Sequence, residues 1–239
     1  MRKKIRSYTV FTSLPYRIIV YLMMPVAVAA IGFWAATQGL GDGGVMFAAV
    51  LLPLPEILSD YWLFGGIQGK DMAKMDYLKT SGRGMRVMGD ALVMDLFRKF
   101  LTAAGSMFLC AAAIELWKNA GTAMPEGAET GSVAAGMFVT DMASVVGRFL
   151  WVGILLYFVL LSYFLSALGT FLSRYACTVW MNMLIGYVAM TLAVWGIFGI
   201  GIWQYIWGLT ALAGAAGLLV SILAVKAAMK KVEGSYYDE

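Results

Sequence analysis

Residues 74–100 read KMDYLKTSGRGMRVMGDALVMDLFRKF. Met75, Leu78, Met85, Val87, Met88, Leu92, Val93 and Leu96 are apolar points among charges of both signs. The stretch is basic, amphipathic and helix-like, and it is too polar to lie in lipid. Ser81-Gly82-Arg83-Gly84 marks a break between two helical pieces. A short helix before the break therefore folds back outside the membrane, and Asp90 to Phe100 lead back into it.

The surroundings of this stretch are of another composition. Of 239 residues, 61% are hydrophobic and 13% charged, and the mean hydropathy is +0.78. A soluble domain carries roughly 25% charged residues. Apolar runs of about 20 residues, the length that crosses a bilayer as helix, occur at 18–38, 45–64, 100–117, 149–172, 177–199 and 204–226. Backbone polar groups cannot stay unpaired in hydrocarbon, so these runs must be helical. The expectation is an all-α polytopic membrane protein with six transmembrane helices in a single domain.

Basic residues set the orientation. Residues 1–17 carry Arg2, Lys3, Lys4, Arg6 and Arg17 beside Val10, Phe11 and Leu14. This reads as a retained interfacial helix rather than a cleaved signal. Segment 65–99 has Lys70, Lys74, Lys79, Arg83, Arg86, Arg98 and Lys99; Arg174 follows span four; Lys226, Lys230 and Lys231 follow span six. The alternate connections are poor in positive charge. All basic segments fall on one side, so both termini are expected in the cytoplasm of a cell-membrane protein. Residues 118–148, with Glu126, Glu129 and Asp141, are expected outside, with 131–148 as a separate helix or an extension of span four.

Span two contains LPLPEILSD, residues 52–60. Pro53 and Pro55 remove backbone donors and bend a helix. Glu56 and Asp60 stand one turn apart on one face. Carboxylates inside a membrane are costly and point to a cavity, a partner or a functional role. They read either as a hinge and polar mouth of a pathway, or as headgroup-level charges near Lys70 or Arg17. Glu115 reads as interfacial. Trp34, Trp62, Trp117, Trp151, Trp203 and Trp207 fall mostly at span ends, as an aromatic belt does. Ala213, Gly217 and Ser221 recur every fourth residue, which suits close helix approach within the chain or between copies.

Several chemistries are excluded. There is no histidine, and the two cysteines, Cys110 and Cys177, lie in or beside apolar runs. FGGIQGKDM at 64–72 fails as a phosphate loop: Phe64 stands where a glycine is needed, and Asp71 where a hydroxyl is needed. No nucleophile–base pair or metal-ligand cluster is present, so the chain is not expected to be an enzyme. No nucleic-acid partner is expected.

The six-span pattern, with an amphipathic loop between spans two and three, resembles the transmembrane subunit of ABC-2 type (type V-like) exporters. Leu78, Ser81, Arg83, Arg86, Val87 and Gly89 match the coupling-helix region of that family loosely, and its usual proline is missing. Small bacterial permeases that export phenol-soluble modulins are the nearest analogy. The resemblance implies that Met75, Leu78, Arg83, Met85, Arg86 and Met88 dock on a separate ABC ATP-binding subunit. That partner would hold ATP and Mg, leaving this chain without a cofactor or metal of its own. It also implies a second copy or a sister permease, contact with membrane lipid, and an amphipathic peptide or other hydrophobic cargo. Pro53, Pro55, Glu56 and Asp60 would then serve as hinge or pathway. The competing expectation is an ion-coupled carrier or small channel, independent of ATP, that uses Glu56 and Asp60. A membrane anchor or immunity protein without transport is a third.

Overall fold

The computed structural model describes residues 8–9, 12–59, 83–119, 145–172 and 179–234. Among these there are helices and no strands. Five helices are long and apolar enough to cross a membrane. They are α1 (Leu14–Leu40), α3 (Gly84–Asn119), α4 (Val145–Leu172), α5 (Val179–Gly199) and α6 (Ile206–Gly234). A shorter apolar helix, α2 (Gly43–Ser59), lies between α1 and α3. The run expected to cross at 45–64 ends, within the described residues, at Ser59. Asp60, Met75 and Leu78 lie outside them, as do most of residues 118–148.

Proline shapes the first two helices. Pro25 has no N–H for the carbonyl four residues back, and the turn before it, Ile19–Met23, is wound as π-helix. A second π turn, Ala36–Leu40, closes α1. Gly39 and Gly41 then take φ of 101° and 53°. Only glycine does this without steric cost, and the chain reverses into α2 within a few residues. The two helices cross where both lack side chains. A Cβ on Gly32 would sit 2.7 Å from Ala48 Cβ and 2.7 Å from Cys110 Sγ; one on Gly44 would overlap the Gly32 carbonyl. Small residues let helix backbones approach this closely in a membrane, where dispersion and not the hydrophobic effect drives association.

α3 begins where the expected break at 81–84 ends, and the short helix expected before that break lies outside the described residues. Residues 84–119 form one helix of 36 residues, longer at both ends than the expected span at 100–117. The reason is local: this stretch contains no proline. At about 1.5 Å per residue the helix is about 54 Å long, well beyond the roughly 30 Å of hydrocarbon. Residues from Lys99 to Lys118 alone span about 28 Å. The first turns of α3 therefore project beyond the apolar layer.

α4 and α6 pack side by side and run parallel. Gly153 meets Ile206 and Trp207, Gly214 meets Leu160, and Gly217 meets Tyr163. The Ser221 hydroxyl donates to Tyr163 Oη at 2.7 Å. The small-residue row of α6 thus packs within the chain. α3 runs antiparallel to both: Gly89 lies beside Met229, and Phe100 is edge-on to Tyr163. Leu52, Met107, Ile114, Ile154, Phe158 and Met190 fill the shared core. One face of α5, from Trp180 through Leu184 and Leu192 to Trp195, is exposed, as a lipid-facing surface would be.

Candidate functional site

The most polar place in the described structure lies within the bundle. α3 carries Asp95, Arg98, Lys99, Thr102 and Ser106, a spacing that puts them on one face. All five are buried, Arg98 at 1% exposure and Lys99 at 0%. The Arg98 guanidinium is held on three sides. Nε donates to Asp95 Oδ1 at 2.9 Å, Nη1 to Glu56 Oε2 at 2.8 Å, and Nη2 to Ser59 Oγ at 2.8 Å. The other oxygen of Glu56 accepts from Thr102 Oγ1. Lys99 Nζ donates to Thr170 Oγ1 of α4 at 2.7 Å and lies 3.8 Å from Asp95 Oδ2.

The N-terminal segment closes the network from the side. Tyr8 is buried against Ala91, Tyr16 and Met94, and its hydroxyl donates to Asp95 Oδ1 at 3.2 Å. Burial first, and the Asp95 charge second, push the Tyr8 hydroxyl well above its ordinary pKa. Tyr16 Oη reaches the Ser59 carbonyl at 3.5 Å. Four parts of the chain thus converge: the N-terminal segment leading into α1, α2, α3 and α4.

Two acids and two bases make a net charge of zero. Such a group survives burial because each charge has an opposite charge and directed hydrogen bonds. The planar fork of arginine suits this role, since it addresses several acceptors at once. Glu56 is consumed by Arg98 and Thr102, so in this arrangement it offers no bare carboxylate to an ion. Among the described residues, no group of three or more His, Cys, Asp or Glu side chains could hold a metal.

The other end of α3 carries a second pair. Lys118 contacts Asp42, beside the α1–α2 turn, and lies 3.9 Å from Glu115. Phe33 and Trp117 meet edge-on nearby at 6.4 Å. The two charged ends of α3 are thus about one hydrocarbon thickness apart, and residues 100–114 between them carry no charge.

Of the residues singled out in the sequence, Glu56 is central, and Pro53 and Pro55 lie just before it on α2. Among the described residues the charged partner of Glu56 is Arg98; Lys70 lies outside them. Arg98 and Lys99 count as loop charges in the sequence but are interior. Arg83 and Arg86 are exposed at the projecting start of α3, Met85 is half-buried, and Met88 is buried. Met88 is buried in the bundle, on the same side of α3 as Ala91, Leu92 and Asp95. Asp95, Arg98, Lys99, Thr102 and Thr170 were missed as a site. The signal was the polar row at 95, 98, 99, 102 and 106, partly masked by its position at the edge of an apolar run.

Long apolar helices closed around a buried, balanced charge group define an all-α, multi-pass membrane protein. Comparison with family models, curated proteins and solved structures gives no match to this chain.

Proposed function

We propose that this chain is the membrane-spanning subunit of an ATP-driven exporter of ABC-2 type, with six membrane helices and both termini cytoplasmic. α2 serves as the second of the six. The chain works with a second copy or a sister permease in the cell membrane. A separate ATP-binding subunit hydrolyses ATP with Mg and acts on segment 70–90. The cargo is amphipathic or hydrophobic, with an amphipathic peptide the preferred class.

The observation that carries this reading is the attachment of α3. The helix emerges directly from the basic segment, with Arg83 and Arg86 exposed at its start. Three turns further on it is bonded through Arg98 to α2 and Asp95, and through Lys99 to α4. A force on the projecting turns is therefore delivered to several membrane helices together. A lever needs such rigid anchoring at its base. The full engagement of Glu56 weighs against the ion-coupled alternative.

The test is co-purification. Tagged chain extracted in mild detergent should retain an ATPase, and Arg83→Glu/Arg86→Glu should release it while the chain stays monodisperse. Deletion of residues 75–90 should do the same. Retention of the ATPase by both variants, or its absence from the unaltered chain, would overturn the reading.

A further inference from the structure

A second polar row runs along α4. Ser162, Ser166 and Thr170 recur every fourth residue and are all buried. Thr170 bonds back to the Ser166 carbonyl at 3.0 Å and meets Lys99 of α3. Its neighbour Gly169 meets Ile57 of α2. At 100° per residue, Ser162 and Ser166 point between those two directions, into the space among α2, α3 and α4. Both are fully buried, and neither hydroxyl has a hydrogen-bond partner among the described residues.

This is unlike the other hydroxyls in the bundle. Ser106, Thr170 and Thr210 each donate to the carbonyl one turn back, and Thr102 and Ser221 are bonded to Glu56 and Tyr163. The backbone bond is available to Ser162 and Ser166 as well, yet neither makes it. An unmet hydroxyl in a dry interior is costly, and two on one face mark a place where a polar guest is held.

We propose that Lys99, Thr102 and Ser106 of α3, with Ser162, Ser166 and Thr170 of α4, enclose a tract that binds ordered water. The guest is small and can both donate and accept, which is what paired serine hydroxyls beside a lysine demand. From Thr170 to Ser162 the tract is about 12 Å long, so it leads from the charge network toward the middle of the apolar layer. Its waters link the serines to the ammonium of Lys99 and keep the α3–α4 contact polar. This assignment does not depend on the exporter reading.

The first measurement is the thermal midpoint of purified Ser162→Ala/Ser166→Ala in detergent. Alanine is the better helix former, so a dry pair of unmet hydroxyls would give an unchanged or higher midpoint. A water-binding pair gives a fall of about 4–8 °C, from two hydrogen-bonding groups lost in a chain of this size. The second is radiolytic hydroxyl-radical labelling, which marks side chains beside held water. The antiparallel contacts of Lys99 with Thr170 and of Phe100 with Tyr163 bring Met107 level with the 156–162 part of α4, at the inner end of the tract. Met107 and Met190 are both fully buried, and Met107 should be oxidised several-fold more than Met190. The double variant should abolish that excess. An unchanged or raised midpoint, or equal labelling of the two methionines in the unaltered chain, overturns the assignment.

Discussion

Replacing Arg98 with methionine tests whether the charge network holds the bundle together. Methionine keeps much of the length and apolar volume of the side chain, so the change removes charge and three hydrogen bonds with little loss of packing. Glu56 and Asp95 then lose their shared counter-charge while both remain buried. Breaking a buried pair from one side costs about 3–5 kcal/mol. For a chain of this size, about 2–4 °C of midpoint accompanies each kcal/mol, so the fall should be about 6–20 °C. The assay is thermal unfolding of the detergent-solubilised protein, followed by tryptophan fluorescence. Arg98→Lys should fall between, because an ammonium keeps the charge but not the three-way fork. Glu56→Gln/Arg98→Met leaves Asp95 with Lys99 and restores neutrality, so it should recover part of the loss. The double-mutant coupling should reach about 1–3 kcal/mol. A midpoint for Arg98→Met within 1–2 °C of the unaltered chain, or strict additivity in the double variant, would refute a mutually dependent network.

Two further outcomes follow from particular contacts. Gly32→Val pushes side-chain atoms into Ala48 and Cys110 and should destabilise by about 1–3 kcal/mol or more, whereas Gly105→Ala meets nothing within 4 Å and should stabilise by up to about 1 kcal/mol through helix propensity; paired thermal scans read both signs. Tyr8, held protonated by burial and by Asp95, should stay silent when absorbance near 295 nm follows the tyrosines through about pH 10. Its raised folded-state pKa contributes stability that is present below the unfolded value of about 10 and is lost as the pH climbs past it. Tyr8→Phe should flatten that part of the stability profile without changing the number of tyrosines that titrate normally.

What the sequence determined by itself was the solvent. Runs of about 20 apolar residues require helices in hydrocarbon, and that requirement is local, so the existence of the helices Leu14–Leu40, Val145–Leu172, Val179–Gly199 and Ile206–Gly234 was legible from composition along the chain. Pro53, Pro55 and Glu56 were legible as an anomaly for the same reason, since a carboxylate in an apolar run stands out without knowledge of its neighbours. The tertiary structure decided which charges meet. Arg98 and Lys99 read as loop charges because they border an apolar run, and only helix packing shows that Glu56, 42 positions earlier, turns toward Arg98, and that Thr170, 71 positions later, turns toward Lys99. Hydropathy is summed along one dimension and records the cost of each charge alone. The partner that offsets this cost is supplied from another helix, and its identity depends on rotation and register that no single segment encodes.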